Sequence, residues 1–318
     1  MAVAFSHTPI MLAACMEALN PLPGGVFVDG TLGGGGHAAS ILDSIGSSGR
    51  LYGIDRDADA LSAAGHRLAR YKDSFVPIRG NFHDMPSMLA EKGVFAVDGI
   101  MLDLGVSSFQ LDEPSRGFSY NQDGPLDMRM DASEGLTAAD VVNTYTYERL
   151  SGIIRRYGEE RFANQIAGNI LREREKSPIL TTLRLRDSIV GAIPAAARRT
   201  GPHPAKRTFQ AIRIEVNGEL DNLVSVIEEL IALLKPGGRL VVLTFHSLED
   251  RAVKNAMVKA ENPCVCPPSS PYCICGLRSA GKRVPRKPRQ ADEEEVEKNP
   301  RSRSAKLRCF VRTNETGA

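Results

Sequence analysis

The chain has 318 residues, 42% of them hydrophobic, and a formal net charge of +2. That length holds one large or two modest domains, and that apolar content can bury a core. No apolar run approaches the roughly 18 residues that span a bilayer, and MAVAFSHTPIML lacks a basic stretch followed by an apolar one, so neither a membrane span nor a signal peptide is expected and a cytosolic location is.

Strands and helices alternate from the first apolar run. VFVDG (26–30) reads as a strand, the glycines Gly33 to Gly36 follow, and HAASILDSI reads as a helix. RLYGID (50–55) is a second strand, ADALSAAGHRLARY a helix, SFVPIRGN a weaker third strand and DMPSMLAEKG a helix with a glycine stop. AVDGIMLDLG (96–105) is a fourth strand, apolar almost to Asp103. This alternation predicts βαβ units and a parallel sheet covered on both faces. Such sheets bind ligands at the carboxyl ends of their strands, where Asp29, Asp55 and Asp103 all stand.

The pattern stops between about 106 and 205. Residues 137–158, 159–176 and 180–193 read as helices, with Thr137 and either Thr181 or Thr182 as N-caps. A long helix (217–234), a KPGG turn, a strong fifth strand RLVVLTF (239–245), the helix SLEDRAVKNAMVKA and a last strand LRCFVR (307–312) resume the α/β pattern. The expected organisation is one α/β domain, 1–105 and 213–318, interrupted by a helical domain at 106–212. Residues 276–306 are polar, with basic, acidic and again basic blocks, and read either as a solvated loop or as a basic arm for phosphates.

Gly33, Gly35 and Ala38 satisfy G-x-G-x-x-A, and Asp55 follows 22 residues after Gly33, which by spacing alone is a dinucleotide fingerprint. A sulfonium nucleoside uses the same geometry. Asp29, just before the glycines, would repel a pyrophosphate but suits a cationic amino-acid ligand, which favours S-adenosylmethionine over NAD. A non-catalytic RNA-binding protein with a relic pocket is a further alternative.

HTPIML (7–12), VDGTLGGGGHA (28–38), GIDRDADAL (53–61), DGIMLDLGVSSFQLDEPSRGFSYNQDGPLDMRMD (98–131), AKRTFQAIRIEVNGEL (205–220), LVVLTFHSLEDRAVK (240–254) and NPRSRSAKLR (299–308) together resemble the bacterial 16S ribosomal RNA cytosine-N4 methyltransferases, the MraW or RsmH family. The resemblance covers essentially the whole chain. It implies a class I S-adenosylmethionine-dependent methyltransferase fold, a Rossmann-like α/β sheet with an inserted helical domain. It also implies methylation of one cytosine at N4 in the decoding region of 16S rRNA, near the P site, within the small ribosomal subunit; a homodimer is left open. Carried over by motif, Gly34, Gly35, Gly36 and His37 would touch the cofactor, Asp55 would hold the ribose, and Phe82, Asp103 and Gln110 would line the adenine and methionine ends.

Methyl transfer to N4 needs acceptors that localise a delocalised lone pair and take a proton. Here DLGVSSF replaces the D/N-P-P-Y/F motif of many amino-group methyltransferases, so Asp103, Ser107 and Ser108 are the candidate acceptors and Phe109 a stacking face; Asp127 and Arg129 in GPLDMRMD are candidates without a role. The reaction itself needs no metal. For RNA phosphates the expected cations cluster at 198–207 and 282–303. CVCPPSSPYCIC (264–275) holds Cys264, Cys266, Cys273 and Cys275. Free reduced thiols are the expectation, with a tetrahedral zinc site and a regulatory disulfide as alternatives. His7, His203 and His246 read as polar contacts or helix-start residues.

Overall fold

Hydrophobic runs too short for helices and buried on both sides become a sheet. The computed structural model describes residues 9–199, 201–267 and 272–313, so His7 lies outside it. The chain divides into two compact units, one of Met1–Gly105 with Asn222–Ala318, the other Val106–Asp221.

The first unit is built on eight strands: β1 (Val26–Asp29), β2 (Arg50–Asp55), β3 (Phe75–Arg79), β4 (Val97–Asp103), β5 (Leu234–Thr244), β6 (Gly281–Arg283), β7 (Arg289–Gln290) and β8 (Lys306–Arg312). Their order is β3-β2-β1-β4-β5-β8-β6, with β7 also on β8. The first five are parallel, and β8 runs antiparallel to β5, β6 and β7. This is a Rossmann-like, doubly wound sheet. Its order reverses between β1 and β4, the place where such sheets open a ligand crevice. One face buries Phe27, Leu51, Met101, Val241 and Leu307 against Cys15 and Leu19 of the helix Leu12–Leu19 and Ile41, Leu42 and Ile45 of the helix Gly36–Ile45.

Three expectations change in detail. KPGG lies within β5, where the register with β4 slips between Val97 and Gly99, so the turn is a bulge inside the strand. The helix read at 217–234 is shorter, Leu223–Leu233, beginning after Asn222 (φ 51°); before it stands a helix the sequence reading did not assign, Lys206–Asn217, which ends on Gly218 in the left-handed region (φ 59°). The stretch 276–306 contributes β6, β7 and the helix Glu293–Lys298, so it is built onto the sheet edge.

The second unit holds the helices Ala138–Thr144, Tyr147–Gly158, Ala163–Lys176, Thr182–Ala192 and Lys206–Asn217. The first two were expected as one; Thr146 separates them by accepting the Arg149 N–H as an N-cap. Thr137 and Thr181 are N-caps, while Thr182 Oγ1 is buried and donates to Gln122 O. Lys206–Asn217 packs so closely on Tyr147–Gly158 that a Cβ on Gly158 would meet Arg207 O at 2.7 Å. Because this helix belongs to the second unit, that unit ends at Asp221 and not near 212. No helix among the described residues is long and apolar enough to cross a membrane.

The helix Ser247–Glu261 is tied to β8 by Asp250, whose carboxylate accepts from Arg308 Nε at 2.6 Å and Lys306 Nζ at 3.1 Å. Burial alone would raise this carboxyl, but Arg308 and Lys306 outweigh it and hold its pKa below the usual value. Asp250→Ala leaves a buried guanidinium without its partner and should cost about 3–5 kcal/mol at pH 7. A depressed carboxyl stabilises above its unfolded pKa and ceases to as pH falls through the folded one. Urea titrations of both proteins should therefore converge in strong acid; a pH-independent difference would refute the ion pair.

Candidate active site

The segment after β1 is stitched to both neighbouring strands. Gly30 N–H donates to Met101 O at 2.9 Å and Leu32 N–H to Ile54 O at 3.0 Å. Thr31 N–H donates to Asp29 Oδ1 at 3.2 Å, and Thr31 Oγ1 accepts the Asp103 N–H at 2.5 Å. Asp55 receives Gly33 N–H on Oδ2 at 2.8 Å and Asp57 N–H on Oδ1 at 2.9 Å. The predicted acids therefore converge on one loop.

The glycines serve this loop more than they clear space for a ligand. Gly33 and Gly35 take φ of 50° and 74°, a region costly for side chains. A Cβ on Gly35 would point at Leu68 and Ala64 of the helix Ala58–Leu68 (3.2–3.3 Å), and one on Gly36 would strike Pro9 Cγ at 2.4 Å. At these two positions protein, not ligand, excludes the side chain. Gly35 is the N-cap of the helix Gly36–Ile45, which has neither a side-chain cap nor an acid in its first turn. Its first N–H groups can thus receive an anionic group.

Electrostatically the site is defined by carboxylates drawn out of water, Asp29 buried and Asp55 and Asp103 partly so. Burial, with Asp55 nearby, raises Asp29 to about 7 despite its bond from Thr31. Burial, with Asp29 and Glu249 nearby, raises Asp103 to about 7. Burial likewise raises Asp55. Asp103 Oδ1 is buried and has no hydrogen-bond partner among the described residues. His37 Nε2 lies 3.1 Å from Ile10 O; a carbonyl only accepts, so Nε2 carries the proton and Nδ1 turns its lone pair towards Asp103 Oδ2, 3.9 Å away. Burial lowers His37 to about 4, so it stays neutral and cannot offset the acids.

Such a site suits a ligand with positive charge, a carboxylate and a diol. S-Adenosylmethionine fits: Asp29 and Asp103 would face its cationic groups, the N-terminus of the helix Gly36–Ile45 its carboxylate, and Asp55 would keep lone pairs for the ribose. A pyrophosphate would meet three acids, which argues against NAD. Phe82 follows β3, packs edge-on against His83 with centroids 4.6 Å apart, and flanks the position a Cβ on Gly30 would take.

Gln110, Ser107 and Ser108 belong to the second unit. Ser107 Oγ accepts the Gln110 N–H at 3.2 Å and Gln110 Oε1 the Ser107 N–H at 3.1 Å, a capping box on the helix Ser108–Asp112. Asp127 and Arg129 pair with each other at 2.8–2.9 Å, and the carbonyls around them bind Arg116, Ala138 and Asn217, so GPLDMRMD is wired as architecture. Three groups escaped the sequence reading. Thr31 anchors the end of β4. Glu249, buried beyond β5, accepts the Phe245 N–H at 3.0 Å and shares a capping box with His246; H-x-x-E at a helix start was its legible signal. Tyr120 stacks on His203 in the second unit, with centroids 4.7 Å apart.

The titrations yield a test. Asp29 and Asp103 bind protons in the fold between their ordinary value of 3.8 and about 7, which the unfolded chain has released, so ligand-free stability falls as pH rises through that window. Asp29→Asn should therefore stabilise the ligand-free chain by about 1–3 kcal/mol at pH 8 and little near pH 4. It should also weaken S-adenosylmethionine by roughly 10-fold or more and flatten the rise of affinity with pH. Calorimetry checks both; an Asn variant less stable at pH 8 would overturn the assignment of Asp29 as a strained acid.

The MraW methylase family matches residues 4–313. A protein named Ribosomal RNA small subunit methyltransferase H 2 from Agathobacter rectalis is 53% identical over 311 residues, 98% of this chain and 99% of that protein. Proteins named Ribosomal RNA small subunit methyltransferase H from Carboxydothermus hydrogenoformans and Symbiobacterium thermophilum are 53% and 52% identical, over 96% and 98% of this chain and 97% and 98% of their own. With its strand-end acids, its glycine loop and this match along nearly its whole length, the chain belongs to the MraW methylase family.

Proposed function

We propose that this chain is an enzyme that methylates small-subunit ribosomal RNA with S-adenosyl-L-methionine, at the exocyclic N4 of a cytosine in the decoding region near the P site. An rRNA substrate implies a cytoplasmic site of action. The identity to proteins named for rRNA methylation supports the substrate class. The observation that carries the chemistry is the Asp103 carboxylate, partly buried at the end of β4, with its Oδ1 buried and unpartnered among the described residues.

Bound at the strand ends, the cofactor supplies an electrophilic methyl carbon and a neutral thioether leaving group. Asp55 accepts from the ribose hydroxyls while keeping Gly33 in place. Asp29 faces positive charge that lowers its own pKa, and the N-terminus of the helix Gly36–Ile45 holds the methionine carboxylate. Gly34 and Phe82 complete the wall. Asp103 accepts an N4–H, which returns the delocalised lone pair to nitrogen, and takes the proton as the N–C bond forms. An acid near pKa 7 is matched to that exchange at neutral pH. Ser107 and Gln110 act at one remove, by capping the helix that opens the second unit.

For the RNA, Arg198, Arg199 and Lys206 are exposed in the second unit, which also carries the Tyr120–His203 stack. A basic surface beside aromatic rings is how unpaired bases are held. The arm offers less than its charge suggests, because Arg283 pairs with Glu261 and Arg289 with Glu17 at 2.9 Å.

Offering 16S rRNA, 30S and 70S particles with labelled cofactor, then digesting the product for mass spectrometry, should find N4-methylcytidine in the decoding region. Asp103→Asn should lower kcat about 10²–10⁴-fold at saturating cofactor. Methyl on another atom, or full activity in Asp103→Asn, would sink the respective half of the reading.

Replacing Arg198, Arg199 and Lys206 with alanine should weaken RNA binding and flatten its salt dependence by roughly 0.7–0.9 in log–log slope for each phosphate no longer neutralised. Cofactor affinity should not change. An unchanged slope in filter binding would move the phosphate-binding surface elsewhere.

A further inference from the structure

The four clustered cysteines lie outside the site above. They sit on the excursion that leaves the helix Ser247–Glu261 and returns as β6. Its ends are joined by Ala280 N–H donating to Ala260 O at 2.9 Å. Residues 268–271 within it lie outside the described residues; all four cysteines are described.

The sulfurs converge. Cys273 Sγ lies 3.6 Å from Cys264, 3.8 Å from Cys266 and 3.4 Å from Cys275, and Cys264 and Cys275 are 3.9 Å apart. All four lie within 4.8 Å of one another. Zinc–thiolate bonds of about 2.3 Å set the edge of an S₄ tetrahedron at about 3.8 Å, which these separations bracket. A disulfide needs about 2.05 Å, and all four cysteines are unbridged.

The surroundings ask for something at the centre. Val265 and Ile274, the middle residues of the two C-x-C pairs, are 75% and 78% exposed, and Tyr272 is 75% exposed. These apolar side chains are exposed while the four thiols face one another, so packing of the described apolar residues does not gather the sulfurs. Four free thiols gathered near the surface would be an oxidation liability. The Ile274 N–H donates to Cys266 Sγ at 3.3 Å, the kind of bond that offsets charge on a coordinated thiolate.

We propose that Cys264, Cys266, Cys273 and Cys275 bind one zinc ion as four thiolates, releasing their thiol protons, and that the metal folds the excursion between the helix Ser247–Glu261 and β6. All four positions are filled by protein, so the site is structural and has no open coordination position for chemistry. The metal takes the place of a core that a segment of this length cannot build.

The full chain, purified without chelator or metal-affinity resin, should contain about one zinc per molecule by plasma mass spectrometry. A mercurial should release it to a colorimetric chelator, and cobalt exchange should give thiolate-to-cobalt charge-transfer bands. The double variant Cys264→Ser, Cys273→Ser should lose the zinc, while Tyr272→Ala keeps it. Four reactive thiols without metal in zinc-supplemented wild-type protein would overturn the proposal. So would cysteine pairs bridged in a peptide digest, iron in place of zinc, or zinc retained by the double variant.

Discussion

Two neighbouring parallel strands of this protein both end in a carboxylate drawn out of water, Asp29 fully and Asp103 in part. Asp29 closes β1 and Asp103 closes β4, at the point where the strand order reverses. Burial works against charging either; Asp29 further raises Asp103, and Asp55 further raises Asp29. Much of the first unit follows from holding them there. Thr31 binds one by its N–H and the other's backbone by its hydroxyl, Gly30 and Leu32 pin the loop to β4 and β2, and neutral His37 adds no compensating charge. The arrangement is costly alone and becomes favourable against a cationic ligand, as expected of a site built for function before stability.

The glycine run belongs to the same constraint. Between β1 and the helix Gly36–Ile45 the chain must turn sharply, stay in reach of β2 and let Pro9 and Leu68 close against it. Glycine meets those demands through positive φ at Gly33 and Gly35 and a missing side chain at Gly36. The ligand benefits indirectly, through N–H groups that the turn leaves pointing outward from an uncapped helix.

The segments most specific to the family do different work. DLG at the end of β4 carries the carboxylate proposed to react, whereas GPLDMRMD and the Ser107–Gln110 pair organise the second unit internally. The polar stretch after residue 276, which composition alone reads either as a solvated loop or as a basic arm, is held by β8 and by ion pairs from Arg283 and Arg289. Charge in sequence overstates what is free to meet a phosphate, because partners distant in the chain have neutralised part of it.

The sequence by itself determined the α/β class, the five parallel strands, the helical interruption and the acids at Asp29, Asp55 and Asp103, since periodicity and strand-end position are local properties. It missed the short strands β6 and β7, two or three residues that pair only because β8 lies beside them. It ran the two helices of 137–158 together and began the helix Leu223–Leu233 too early, because Thr146 and Gly218 act through a cap and a backbone angle, not through hydrophobicity. It found the glycines but not what occupies the space beside them. Only the tertiary structure brought Glu249 to the end of β4, showed which cations were already paired, and drew four sulfurs to within 4.8 Å. The first two depend on contacts between residues far apart in the chain, and the third on how a short excursion folds back on itself; local pattern carries no record of such distances.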